Sequence, residues 1–240
     1  MRRSSTPYFI KRLYKTINAW YIARFIAPQF DSLGTIPEVA HPRSLVTFGR
    51  NIHLGKSAQI ICASDHCVRF TSWPSKQADA EIVIGDYCLI SPGVRISSAQ
   101  SIRIGDNCMF AANVIISDSD WHGIYNRIRP FRCTKPVVIE NNVWLGERVI
   151  VMKGVTIGEN SVVGAGSVVT KNIPLNTVAA GNPARVIKTI NPNRRMLKRE
   201  LLFSDPEHYF LNQDQLDKYM LGNNGWWNWL RSRLKPNNND

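Results

Sequence analysis

The stretch IENNVWLGERVIVMKGVTIGENSVVGAGSVVTKNIPL, residues 139–175, decides the fold. Every sixth residue in it is aliphatic: Ile139, Leu145, Val151, Ile157, Val163, Val169 and Leu175. If roughly a quarter of residues are Val, Ile, Leu or Phe, chance gives such a run about once in ten thousand trials. A small residue often follows, as at Gly146, Gly158 and Gly164. Four places after the first six of these aliphatic residues comes another compact or apolar residue: Val143, Val149, Val155, Ser161, Ser167 and Ile173.

The same frame runs upstream through Phe48, Leu54 and Ile60, then Ile84, Ile90 and Ile96, then Ile104, Phe110 and Ile116. The breaks between these blocks predict loops. Between Ile60 and Ile84 the period holds, but residues 67–79 lack the pattern, and the step from Ile96 to Ile104 adds two residues. From Ile116 to Ile139 is 23 residues, so about 17 beyond one period are looped out. A six-residue rung holds a short strand and a turn, and three rungs close one coil. Coils then stack through parallel ladders, each inward aliphatic residue resting on the next. Glycine suits the corners, where φ turns positive or backbones crowd. Cys88 and Cys108 fall four places after Ile84 and Ile104, the position of a small buried apolar residue.

Composition narrows the class. The formal charge of +12 is concentrated at the ends. Residues 1–27 carry six Lys/Arg and no acid, and residues 188–235 carry nine against five. Basic tails on a near-neutral body suit an anionic surface near the ends and argue against a nucleic-acid partner for the body. The five cysteines form no C-x-x-C pair, which argues against a disulfide framework or zinc site and for a reducing compartment. No run of 18 uncharged apolar residues occurs, and Lys11, Arg12 and Lys15 interrupt any signal-peptide apolar region.

Residues 45–190 resemble the hexapeptide-repeat acyltransferases, in particular the maltose, galactoside and surface-polysaccharide O-acetyltransferases. The likeness is densest from Val143-Trp144-Leu145-Gly146, through Val163-Gly164-Ala165-Gly166-Ser167-Val168-Val169-Thr170-Lys171, to Gly181-Asn182-Pro183-Ala184-Arg185. The resemblance implies an all-β core, a left-handed parallel β-helix, against the usual right-handed crossover rule. It also implies a homotrimer with active sites between subunits, acetyl-CoA as donor, and a saccharide or glycolipid hydroxyl as acceptor. Such a transfer needs a base for the hydroxyl proton, donors facing the oxyanion and a slot for the pantetheine arm.

His122 is the candidate base, placed where the family's catalytic histidine falls, a few residues past Asn113 and at the root of the long loop. An imidazole titrating near pH 6.5 accepts a proton at neutral pH. Asp118 or Asp120 is the expected partner for its other nitrogen. The resemblance points to Trp144 packing on pantetheine, with Gly146 beside it. Ala165 would offer backbone groups, and Thr170, Lys171 and Arg185 would face the nucleotide phosphates. On the acceptor side the candidates are Asn113, Trp121, Ser98 and Gln100. The loop from Trp121 to Pro136 is basic, with Arg127, Arg129, Arg132 and Lys135 beside Tyr125 and Phe131. It is expected to cover a neighbouring site, to bind an acidic or phosphorylated sugar, or to remain solvated. His41, His53, His66 and His208 are scattered, which disfavours a three-histidine zinc centre; no metal is expected.

The organisation expected is residues 1–44 as N-terminal helix and linker, 45–190 as the β-helix with loop 117–137, and 191–240 as a helical, Trp-rich extension. Residues 7–27 read as an amphipathic helix with Phe9, Leu13, Ile17, Trp20 and Tyr21 at helical spacing, ended by Pro28. It either lies on an anionic membrane or caps the first coil. Two further helices are expected over 194–203 and 205–221, then the Trp226-Trp227-Asn228-Trp229 cluster, with residues 236–240 frayed. The location expected is cytoplasmic, with room for peripheral contact on the inner membrane face. An amino-sugar N-acetyltransferase and a non-catalytic docking protein are the alternatives.

Overall fold

The computed structural model describes residues 5–35, 37–73, 79–128 and 133–235. Arg129, Phe131 and Arg132 of the long loop, and the tail 236–240 expected to fray, lie outside the described residues. Two compact units form, one from residues 24–201 and one from residues 1–23 with 202–240.

The larger unit is a left-handed parallel β-helix with three faces. The first face carries six strands: Ser32–Leu33, Ile52–Leu54, Glu81–Ile84, Ser101–Ile104, Val137–Ile139 and Thr156–Ile157. The second runs from Glu38–Ala40 through Gln59–Ile61, Leu89–Ile90, Met109–Phe110, Trp144–Leu145 and Val162–Val163 to Thr177–Gly181. Ala184–Thr189 then folds back antiparallel on Thr177–Gly181. The third face holds Leu45–Phe48, Val68–Ser72, Arg95–Ser98, Ile115–Ser117, Ile150–Val151 and Val168–Val169. The coils therefore begin at Ser32, ahead of residue 45.

Parallel pairing in register keeps each inward residue over its counterpart. Ile52, Ile82, Ile102 and Val137 form one such column on the first face, all fully buried. Each buried aliphatic side chain contributes about 1.5–3 kcal/mol relative to exposure. Cys88 and Cys108 are also fully buried, and their thiols donate to the carbonyls of Gly105 at 3.2 Å and Glu140 at 3.1 Å.

The frame slips at three places. Phe48 is 52 % exposed, and Leu45 holds the inward position instead. Leu175 is 58 % exposed, because the third–first corner of the last coil is shortened and Ile173 bridges to Ile157 on the inside. Residues 67–79 were expected to be irregular, yet Val68–Ser72 is a full strand of the third face, with Val68, Phe70 and Ser72 inward. A longer corner over 62–67 shifts its phase away from the six-residue count.

The corners show why glycine recurs. A Cβ on Gly55 would lie 2.4 Å from the carbonyl carbon of Gly85, and one on Gly85 would lie 2.7 Å from that of Gly105. These glycines permit close approach of successive backbones. Left-handed geometry recurs at six asparagines, Asn51, Asn107, Asn113, Asn142, Asn160 and Asn176, and at glycines such as Gly93, Gly154 and Gly166. Asn142, Asn160 and Asn176 link side chain to side chain, at 2.9 and 3.0 Å.

α1 (Tyr8–Tyr21), in the smaller unit, continues into a π-helical turn, Ile22–Ile26, whose last residues belong to the larger unit. A 3-10 turn, Ala27–Gln29, then contains Pro28. α2 (Pro206–Leu221) starts at Asp205, whose side chain accepts from the His208 N–H at 3.0 Å, and α3 (Trp226–Leu234) follows. The helix expected over 194–203 is reduced to a 3-10 segment, Arg199–Phe203. Tyr8 donates to Asp214 at 2.8 Å, and Lys11 and Lys15 both pair with Asp217, so this side of α1 faces α2. Phe9, Leu13, Ile17 and Trp20 lie on the other side and remain exposed.

Candidate active site

His122 sits where the chain leaves the third face after Ile115–Ser117 and departs into the long loop. The loop root is closed by hydrogen bonds. Ser119 and Thr134 form an antiparallel bridge, the Lys135 N–H donates to the Asp118 carbonyl at 2.9 Å, and the Asp120 N–H donates to the Cys133 carbonyl at 3.3 Å. Trp121 takes a left-handed conformation (φ 64°), and its N–H donates to Ser119 Oγ at 2.9 Å. The His122 N–H donates to the Asp120 carbonyl at 2.8 Å, leaving the imidazole exposed.

The two aspartates expected to orient that ring are engaged elsewhere. Asp118 is fully buried and accepts from the N–H groups of Ala99, Gln100 and Ser101 and from Ser98 Oγ, at 2.7–2.8 Å. It holds the third–first corner of the preceding coil. Asp120 pairs with Lys153, which comes from the same edge one coil further on.

A cleft of about 420 Å³ opens beside His122, lined by Arg69, Thr71, Trp73, Arg95, Ser97, Trp121 and His122. Trp73 packs against Phe48 at 4.6 Å and meets Trp121 edge-on at 6.2 Å, centroid to centroid. Phe48, outward rather than inward, thus props the cleft wall. Thr71 and Ser97 are register partners, and Thr71 Oγ1 donates to Ser97 Oγ at 2.8 Å.

Of the acceptor-side candidates, Trp121 reaches this cleft. Ser98 does not. Alternation along Arg95–Ser98 turns Ile96 and Ser98 inward and Arg95 and Ser97 outward, so Ser98 is buried against Asp118 and Ser97 lines the wall. Gln100 is tied to Asp118 through its backbone. Asn113 sits on the second–third edge in left-handed geometry (φ 61°), where its N–H donates to the Pro92 carbonyl at 2.9 Å. Arg69, Arg95, Trp73 and Thr71 escaped the sequence reading. Their signal was outward parity with Ser97, legible only once the phase of Val68–Ser72 is known.

The donor-side candidates occupy other parts of the prism. Trp144, 48 % exposed, lies on the second face, and Gly146 and Ala165 follow at the second–third edge. A Cβ on Gly146 would lie 2.7 Å from the Ala165 nitrogen, whereas one on Gly166 would meet nothing within 4 Å. Gly166 is thus open on the side a Cβ would occupy. Thr170 and Lys171 lie exposed on the third–first edge, and Arg185 stands in the terminal antiparallel strand. None of these donor-side residues lines the His122 cleft.

Parallel coils of six-residue rungs, a loop inserted at one corner and a histidine at its root define a hexapeptide-repeat β-helix protein. Residues 136–171 match the family described as bacterial transferase hexapeptide (six repeats), and residues 81–118 match the hexapeptide repeat of succinyl-transferase. The chain is 36 % identical over 145 residues to the Escherichia coli protein named "Putative lipopolysaccharide biosynthesis O-acetyl transferase WbbJ", covering 54 % of this chain and 74 % of that one. It is 50 % identical over 93 residues to the galactoside O-acetyltransferase of Escherichia coli, covering 38 % of this chain and 45 % of the relative, so less than half of that enzyme's length is spanned. Among solved structures, AntD, an N-acyltransferase from Bacillus cereus, shares the fold, with a TM-score of 0.53 at 19 % identity over 80 % of this chain and 96 % of that one. The chain belongs to the hexapeptide-repeat acyltransferase family.

Proposed function

We propose that this protein is an O-acetyltransferase that moves an acetyl group from acetyl-CoA to a hydroxyl of a saccharide, in surface-polysaccharide or glycolipid synthesis. The observation that carries the proposal is the cleft that joins His122 to two tryptophans and two outward hydroxyls. Tryptophan faces suit the apolar side of a sugar ring, and Thr71 and Ser97 offer hydrogen bonds to its hydroxyls. His122 takes the proton of the attacking hydroxyl as the new ester bond forms, then returns it to the departing thiolate of coenzyme A. Lys153 positions the loop root through Asp120. On the donor side, Trp144 would pack along pantetheine, the Gly146 and Ala165 corners would admit its amides, and Thr170, Lys171 and Arg185 would meet the phosphates.

Within one chain, Trp144 and Ala165 are on a different edge from His122, which supports a homotrimer whose sites form between subunits. Ile124, Tyr125 and Ile128 on the loop are 78–101 % exposed, apolar surface suited to a neighbouring subunit. The smaller unit supports peripheral contact with an anionic membrane from the cytoplasmic side. Phe9, Leu13, Ile17 and Trp20 present one exposed apolar stripe on α1, and Trp226 and Trp227 on α3 are also exposed. No helix among the described residues is long and apolar enough to cross a membrane.

The test is acceptor-dependent thiol release from acetyl-CoA by the wild-type protein and by His122→Ala, across a panel of glycosides. Loss of turnover by at least about a hundredfold is expected for a general base. Near-normal turnover in the variant would remove His122 from the mechanism.

A further inference from the structure

Arg69 and Arg95 are register partners on neighbouring coils of the third face, both outward and both in the wall of the His122 cleft. The outward column to which they belong runs Val46, Arg69, Arg95, Ile115, Ile150 and Val168. Charge occurs in that column only at Arg69 and Arg95. Strands one rung apart stand about 4.7–4.9 Å from each other, so two guanidinium groups start from adjacent backbone positions and repel. Elsewhere the protein relieves an outward arginine with an acid: on the first face Arg103 pairs with Glu81 of the neighbouring coil at 2.6 Å. Among the described residues neither Arg69 nor Arg95 has a carboxylate partner.

From this unpaired, in-register couple we infer that the acceptor carries an oxyanion, a carboxylate or phosphate on the saccharide, which Arg69 and Arg95 grip while Trp73 and Trp121 flank the ring. The inference rests on the O-acetyltransferase reading and deepens it by naming the acceptor class. Guanidinium groups bind planar or tetrahedral oxyanions through paired N–H bonds, which fixes orientation as well as charge. An anion held on strands Val68–Ser72 and Arg95–Ser98 places a neighbouring sugar hydroxyl toward the loop root, which follows the next strand of that face, Ile115–Ser117. Neutral hexosides would leave both cations unmatched.

Two acceptor pairs test this. In the first, 4-nitrophenyl β-D-glucuronide is set against 4-nitrophenyl β-D-glucoside; in the second, glucose 1-phosphate against methyl α-D-glucoside. Acetyl transfer and calorimetric binding are measured for all four with the wild-type protein and with Arg69→Gln/Arg95→Gln. The wild type is expected to favour the anionic member of one pair by at least about tenfold in kcat/KM, or about 1.4 kcal/mol. Which pair shows the preference separates carboxylate from phosphate. In the double variant the ratio should fall toward one. Equal kcat/KM within both pairs, or a preference that survives the double substitution, overturns the inference and leaves the enzymatic reading intact. Arginine-dependent binding of an anionic member without acetyl transfer supports the anion site and counts against the enzymatic reading. Neither binding nor transfer of any of the four overturns both.

Discussion

Lys153 and Asp120 join two successive coils by an ion pair at the root of the loop that carries His122. Both side chains are partly exposed, so the pair contributes at most about 1 kcal/mol to global stability. Its effect falls on the position of the imidazole. Lys153→Ala is expected to lower kcat about three- to tenfold, a barrier increase of about 0.7–1.4 kcal/mol. The melting temperature should change little. Steady-state kinetics beside a thermal melt check both halves of this prediction.

Asp118, by contrast, is a structural carboxylate. Its removal strands the buried Ser98 hydroxyl and Ala99 N–H, and frees the half-buried N–H groups of Gln100 and Ser101. Asp118→Ala should cost at least about 3 kcal/mol in urea unfolding, given about 1–3 kcal/mol for each buried group left unsatisfied. A loss below 1 kcal/mol would mean that water replaces the carboxylate there.

Gly85 tests the crowded edge. Its missing Cβ would lie 2.7 Å from the Gly105 carbonyl carbon and 2.8 Å from the Asp106 nitrogen, both backbone atoms of the next coil. Gly85→Ala should therefore destabilise by about 1–3 kcal/mol, the usual cost of overpacking. Gly166→Ala meets nothing within 4 Å, and its cost comes from its left-handed φ of 71° alone. Parallel denaturation curves of the two variants separate contact from conformation.

The buried thiols set a pH limit. Burial pushes Cys62 up from its ordinary value of 9.0 to about 11, and the neighbouring Cys108 thiol together with burial raises Cys88 well above the ordinary thiol range. The folded state thus keeps these protons at a pH where the unfolded chain has lost them. Stability is unaffected below about pH 9 and falls as pH rises from there toward 11. Unfolding midpoints measured between pH 7 and 11 should show the decline, and replacing Cys62 with Ala should flatten it. At pH 8, Cys67 and Cys133, both partly exposed, should react with a thiol reagent before Cys62, Cys88 and Cys108.

The prism was legible in the sequence because a constant rung length puts one inward aliphatic residue on each face, and that constraint writes itself into spacing. Where a corner changed length, spacing misled. Leu175 satisfied the count but not the geometry, and Phe48 was apolar for the cleft's sake rather than the core's. The place of His122 at the loop root was legible because the looped-out segment is the largest break in the count, while its proposed role comes from the family resemblance. The residues around it were not. Arg69 and Ser97 are distinguished from their buried neighbours only by strand parity, and parity on the third face depends on how many residues the preceding corner consumes. Ser98 failed as a cleft residue by a single position for that reason. Asp118 and Asp120 looked interchangeable beside His122, yet one is sealed inside the prism and the other reaches outward to Lys153.

The bridge between Ser119 and Thr134, backed by the Asp118 corner, ties off the excursion before it begins. Just beyond that knot, Asp120 and Trp121 still touch the stack through Lys153 and Trp73, whereas Ile124, Tyr125 and Ile128 stand exposed. Substitutions at those three exposed positions are therefore expected to leave the melting of the coils unchanged, as is usual for surface changes.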